Sequence, residues 1–150
     1  MFRTFTLFIL VFLFSTSVFA ENVVAVTIRD AWIAETPPGV KVNAAYMTIE
    51  NASSEDITLE SASSPDFESV EMHLSVVKDG NASMQKQDKI TVKANSQFVF
   101  SPSGYHFMLF KPVKNMRAGD IALLNLKFGN EIEIRLSAEL RKHHSTHSHH

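Results

Sequence analysis

Apolar residues follow two different patterns along this chain. Residues 7–14 form an almost unbroken apolar run, preceded by the single positive charge of Arg3. From residue 24 onward, apolar and polar positions alternate in short segments, as in Val-Ala-Val-Thr-Ile at 24–28. A period of two is typical of strands with one buried face, and no segment after residue 21 keeps the 3.6-residue period of a helix. The pattern therefore predicts an all-β domain.

Turn-forming residues divide the alternating region into eight or nine strands. The dipeptides Asp79-Gly80 and Gly129-Asn130 are typical of two-residue hairpin connections. Short antiparallel strands separated by turns at intervals of about 8 to 12 residues predict a β-sandwich or barrel of Greek-key type. The predicted strands cover residues 24–33, 44–50, 57–59, 70–77, 90–92, 98–100, 105–110, 121–128 and 131–137.

The two ends of the chain are predicted to lie outside this domain. Residues 1–20 combine one basic residue, an apolar run and small residues before Glu21, which is typical of a cleaved signal peptide; an uncleaved anchor is the alternative. Residues 21–138 form one predicted domain, and residues 139–150 are too polar to pack and are expected to be disordered. We expect an exported protein without stable membrane insertion after cleavage, and a monomer.

Composition and charge exclude several classes of function. Without Arg3 the 14 basic residues become 13, against 16 acidic ones, so no electrostatic footprint for nucleic acid is present. The absence of cysteine excludes disulfides and also a blue-copper electron-transfer site, which requires a thiolate. No Ser-His-Asp arrangement, paired carboxylates or Gly-rich phosphate loop stands out, so an enzyme is not expected.

The main candidate site lies between residues 71 and 110. His73 is followed after ten residues by Met84, after twenty-one more by His106, and after one more by Met108. Imidazole and thioether together are ligands that suit Cu(I), whereas zinc prefers His, Cys or carboxylate. The spacing therefore indicates a Cu(I) site. The alternative is that the histidines are ordinary surface residues and the methionines fill the core.

Strand alternation assigns a face to each candidate. Met72 is expected in the core, and His73, its neighbour, is expected to face water. His106 and Met108 are two residues apart on one strand and project to the same side, so both can bind one ion. Met84 is expected across the hairpin from His73, as a diagonal neighbour.

The four residues and their spacing resemble the signature of the periplasmic copper chaperone family known as PCuAC. The resemblance covers essentially the whole domain. It implies a cupredoxin-like β-sandwich that binds one Cu(I) through His73, Met84, His106 and Met108. It also implies delivery of copper toward the CuA centre of cytochrome c oxidase, in cooperation with Sco-type proteins. Further segments similar to the family lie at residues 43–49, 71–73, 102–109 and 118–120.

The ligand chemistry suits an exported protein. A thioether cannot form a disulfide, so Met and neutral His can hold Cu(I) in an oxidising compartment such as the periplasm. Two other functions stay open at this point. One is copper sequestration or resistance with the same fold, and the other is an exported β-sandwich interaction module that binds no metal.

The C-terminal tail contains a second group of candidate ligands. Imidazole without thioether suits Cu(II) better than Cu(I), so the tail is a candidate secondary Cu(II) site. A purification tag is the alternative, although the Ser and Thr residues between the histidines favour a native tail. The tail histidines are His143, His144, His147, His149 and His150.

Overall fold

The computed structural model describes residues 26–129 and 131–142, and it confirms the all-β prediction. Within these ranges there is no helix, and hence none long and apolar enough to cross a membrane. The strands are β1 (Val26–Ala34), β2 (Val42–Asn51), β3 (Ile57–Ser63), β4 (Phe67–Lys78), β5 (Asn81–Gln87), β6 (Ile90–Val92), β7 (Ser96–Phe100), β8 (Tyr105–Pro112), β9 (Ile121–Phe128) and β10 (Glu133–Arg141).

The ten strands form one hydrogen-bonded sheet that is not closed into a barrel. The order is β5-β4-β8-β2-β1-β10-β9-β3-β6, and β7 pairs with β2 beside this path. The pairing of β1 with β10 is parallel, whereas the other described pairs are antiparallel. The buried amide of Asn51, at the end of β2, donates to the Val92 carbonyl of β6. In the strand order β6 is the last strand and β2 lies near the middle. A direct bond between them therefore shows that the sheet folds back on itself.

The core lies between the folded layers and collects alternate residues from most strands. Phe107 of β8 is fully buried and its ring stacks on Phe100 of β7, with centroids 4.4 Å apart. Met72 of β4 is 4% exposed and belongs to the same core cluster, so the prediction that it packs inside is confirmed. Burial of this apolar cluster is the main stabilising contribution in a chain without disulfides.

The hairpin between β4 and β5 fixes the register of the candidate site. Its two turn residues, Asp79 and Gly80, both have positive φ, 53° and 77°, as a type I′ turn requires. Lys78 and Asn81 are therefore paired directly across the turn. The Asp-Gly hairpin prediction is correct, although β5 itself was not among the predicted strands.

The last strand has different bounds from those predicted. Strand β10 continues to Arg141, four residues past the predicted strand end at Ser137, and it begins at Glu133 rather than at residue 131. Leu140 is 1% exposed and pairs with Ile33 of β1, so tertiary packing holds this segment in spite of the charged residues around it. The predicted signal peptide and the tail histidines from 143 onward lie outside the described residues.

Candidate metal centre

Two histidines face each other across neighbouring strands. His73 of β4 and His106 of β8 are paired in the antiparallel register, and their ring centroids are 6.1 Å apart. Their chain neighbours Met72 and Phe107 are core residues, so alternation places both imidazoles on the opposite face of the sheet, which we call the outer face. The topology therefore brings together two candidate ligands that are thirty-three positions apart in the sequence.

Hydrogen bonds determine which ring nitrogen of each histidine carries the proton. Nε2 of His73 lies 2.9 Å from Oε2 of Glu71, and Nδ1 of His106 lies 3.1 Å from the Gly104 carbonyl oxygen. A carboxylate and a carbonyl can only accept, so these two nitrogens are the N–H donors. In the neutral rings the lone pairs are then at Nδ1 of His73 and at Nε2 of His106.

Both lone-pair nitrogens are buried without a hydrogen-bond partner. Among the described residues, they are the two side-chain nitrogen or oxygen atoms in this condition. A buried polar atom without a hydrogen-bond partner destabilises the folded state by about 1–3 kcal/mol. Two such atoms on one cross-strand pair of residues therefore require an explanation. Two such lone pairs on paired strands are atoms that can bind a metal ion.

The two methionines flank this histidine pair unequally. Met108 is on the outer face of β8, two residues from His106, and it is paired with Glu71. Met84 is paired with Ser75 on the other side of β4, and its side chain is 58% exposed at the edge strand β5. Both are diagonal neighbours of His73, but in opposite directions along β4. The structure therefore brings His73, His106 and Met108 together and leaves Met84 beside them at the edge.

The outer face is less open than alternation suggested. The prediction that His73 faces water is wrong, because its side chain is only 13% exposed, and His106 is 3% exposed. One further step of the β2–β8 register places Tyr46 opposite His106, and Tyr46 is paired with Trp32 of β1. The Tyr46 and Trp32 rings contact each other with centroids 4.7 Å apart. By register, this aromatic pair continues the row of the two histidines onto β2 and β1.

Comparison with known proteins places the chain in a family. The family model described as "Putative lipoprotein LpqE-like" matches residues 26–140. The chain belongs to the LpqE-like family. No curated protein sequence matches it significantly.

Solved structures similar to this LpqE-like chain include PCuAC domains, which confirms the family resemblance and the fold class. The copper-bound PCuAC domain from PmoF2 is 23% identical, with a TM-score of 0.68 over 79% of this chain and 94% of that one. The apo PCuAC domain from PmoF1 is 16% identical, with a TM-score of 0.67 over 82% and 98%. The solution structure of CuI-DR1885 from Deinococcus radiodurans is 26% identical, with a TM-score of 0.64 over 82% of each chain.

Charged side chains of the LpqE-like domain adjoin one edge of the histidine pair. Glu71 accepts from Nζ of Lys86 at 2.8 Å as well as from His73, so both carboxylate oxygens are engaged. The hydrogen bond from Lys86, and then the one from His73, lower the pKa of Glu71 below its ordinary value. On the other side of the row, burial raises the pKa of Tyr46. The carboxylate therefore stays ionised and the phenol stays neutral around neutral pH.

Two features of this site were missed in the sequence. Glu71 lies two residues before His73, so alternation alone put it on the same face, but nothing in the spacing indicated a bond to Lys86. The burial of His106 depends on β2, which is distant in sequence. Among the described residues, no three His, Cys, Asp or Glu side chains are grouped to hold a metal ion.

Proposed function

We propose that this protein is a periplasmic copper chaperone that carries one Cu(I) ion on His73, His106, Met108 and Met84. The observation that carries the proposal is the pair of buried, unpartnered ring nitrogens on registered strands, Nδ1 of His73 and Nε2 of His106. Two of the similar structures are a copper-bound PCuAC domain and a CuI form of DR1885, which supports copper as the cargo.

The donor set suits a carrier of Cu(I). Two imidazole nitrogens and two thioether sulfurs are uncharged, and thioethers favour Cu(I) over harder divalent ions. A site without thiolates cannot be lost to disulfide formation in an oxidising compartment. Neutral ligands also release the ion more readily than thiolates, which transfer to an acceptor requires.

The exposed position of Met84 provides a route for loading and release. Three candidate ligands lie on the central strands β4 and β8, whereas Met84 lies on the edge strand β5. We infer that Met84 is the last ligand to bind the ion and the first to leave it. An acceptor ligand then replaces the Met84 sulfur without disturbing the buried histidines. The CuA centre of cytochrome c oxidase is the proposed acceptor, with Sco-type proteins as partners.

Competition with a chromophoric Cu(I) chelator tests the binding site. Alanine variants at all four proposed ligands should weaken Cu(I) binding. For each histidine the loss should exceed the roughly 10- to 100-fold loss that is typical when an outer hydrogen-bond partner of a metal ligand is removed. For Met84 the loss should be about tenfold. Met116→Leu is the matched control, because it removes a thioether that is not a proposed ligand, and it should leave the Cu(I) affinity unchanged. Wild-type affinity in the His73→Ala variant would refute the site.

Transfer of the bound ion tests delivery against sequestration. The Cu(I)-loaded protein is mixed with an apo CuA domain, the two are separated, and copper is measured in each. Delivery predicts movement of copper to the acceptor within the mixing time and retention of copper when the acceptor's cysteines are blocked. If the wild-type protein keeps its copper although the cysteines of the acceptor are not blocked, sequestration is favoured.

A further inference from the structure

Glu71 makes two hydrogen bonds that connect one proposed ligand to the strand carrying another. Its Oε2 accepts from Nε2 of His73 at 2.9 Å, and its Oε1 accepts from Nζ of Lys86 at 2.8 Å. Lys86 is paired with His73 across the β4–β5 ladder and lies two residues after Met84 on β5. The carboxylate therefore bridges the His73 ring and the edge strand.

We propose that Glu71 is a positioning residue of the copper site, which holds the His73 ring with Nδ1 toward the ion and, through Lys86, holds β5 beside it. This inference rests on the proposed function. It concerns the ligand geometry and not the identity of the ligands.

The orientation argument follows from the acceptor character of the carboxylate. Without Glu71, the proton of the His73 ring can occupy either nitrogen, and the ring can rotate about χ2. The bond from Nε2 removes both freedoms, because it fixes the tautomer and the ring plane together. A histidine ligand whose second nitrogen donates to a carboxylate is also a more basic donor to the metal.

The argument for β5 follows from the poor burial of that strand. Six of its seven residues are exposed and the seventh is half-buried, so little apolar packing holds it against β4. The ladder to β4 and the Lys86–Glu71 ion pair are then its main attachments. Glu71 is diagonal to Lys86 on the same face, which is the geometry in which a long side chain reaches across two strands.

The chain contains a matched control on the same strand. Glu68 of β4 forms an ion pair with Lys111 of β8, with its Oε1 2.9 Å from the Lys111 Nζ, and this pair is separate from the hydrogen bonds of His73 and His106. Glu68→Gln therefore removes one carboxylate and one ion pair from β4 without touching the proposed mechanism.

The experiment compares Glu71→Ala, Glu71→Gln and Glu68→Gln in the full chain. Long-range ¹H–¹⁵N NMR of the copper-free protein reports the tautomer of His73, and chelator competition reports Cu(I) affinity. In the wild type the Nε2–H tautomer should dominate. Glu71→Ala should give a mixture of tautomers and a 10- to 100-fold loss of Cu(I) affinity. Glu71→Gln keeps an acceptor oxygen and should restore the tautomer, and Glu68→Gln should match the wild type in both measurements.

Two outcomes would overturn the proposal. One is an unchanged His73 tautomer in Glu71→Ala, and the other is an equal loss of affinity in Glu68→Gln. Failure of the proposed function is a separate result, because it appears as absence of Cu(I) binding by the wild type. The tautomer measurement on the copper-free protein still tests the role of Glu71 in that case. Thermal unfolding of each variant checks that the fold is retained.

Discussion

Replacing His106 by leucine should stabilise the copper-free protein while weakening copper binding. Nε2 of His106 is buried without a partner, which costs about 1–3 kcal/mol in the folded state. Leucine removes that atom at similar volume, but it also removes the bond from Nδ1–H to the Gly104 carbonyl, a contribution of about 0.5–1.5 kcal/mol. The Gly104 oxygen stays satisfied, because it also accepts from the Ser75 amide. The net expectation is a gain of about 1 kcal/mol in the free energy of unfolding.

Chemical denaturation of the copper-free proteins measures this difference, and Asn51→Leu is its control. Asn51 is as buried as His106, but its amide donates to the carbonyls of Glu55, Val92 and Lys93. The same polar-to-leucine change at Asn51 should therefore destabilise the protein by more than about 2 kcal/mol, since it leaves several acceptors without a donor. The two substitutions differ in the sign of their effect because one site is satisfied and the other is not.

Added Cu(I) should reverse the order of stability. An ion present at about 100 times its dissociation constant stabilises the wild type by about 2.7 kcal/mol, and His106→Leu should lose most of this increment. The reasoning would be refuted if His106→Leu unfolds more easily than the wild type by over about 1 kcal/mol without copper. The reasoning would also be refuted if Cu(I) raised the free energy of unfolding of His106→Leu as much as that of the wild type.

Three further predictions concern the core, the pH dependence and the tail. Met72→Leu should cost under about 1.5 kcal/mol and leave Cu(I) affinity within about tenfold, because Met72 packs in the core; a loss as large as that of His73→Ala would contradict this. Cu(I) affinity should fall on acidification, because a protonated imidazole cannot bind a metal. Glu71, with its lowered pKa, stays ionised between about pH 7.5 and 5, so protonation of Glu71 does not cause the fall. A flat affinity over that range would argue against histidine ligands. Truncation after Lys142 should lower the Cu(II) stoichiometry and spare both the Cu(I) site and β10; unchanged Cu(II) uptake would show that the tail binds none.

Local patterns in the sequence predicted the elements whose faces differ in polarity. Met72 was assigned to the core because it lies within an alternating apolar set, and it is buried. The Asp-Gly dipeptide predicted the β4–β5 turn because few residues tolerate its positive φ angles. In these places the local chemistry alone determines the outcome.

Long-range contacts determined what the sequence pattern did not show. Strand β5, Asn-Ala-Ser-Met-Gln-Lys-Gln, has no buried face to give it an alternating pattern, and it forms because the turn aligns it with β4. The end of β10 is fixed by its parallel pairing with β1, more than a hundred residues earlier. The burial of His106 likewise depends on the approach of β2. The end of β10 and the burial of His106 follow from strand order, which no short segment encodes.

X-ray absorption spectroscopy of the Cu(I)-loaded protein, truncated after Lys142, tests the central claim most directly. The account predicts a first coordination shell of two nitrogen and two sulfur donors. It also predicts the loss of one sulfur in Met84→Ala and of one nitrogen in His106→Leu. A shell of nitrogen and oxygen donors alone, or a sulfur count that neither Met84→Ala nor Met108→Ala changes, would contradict the proposed site.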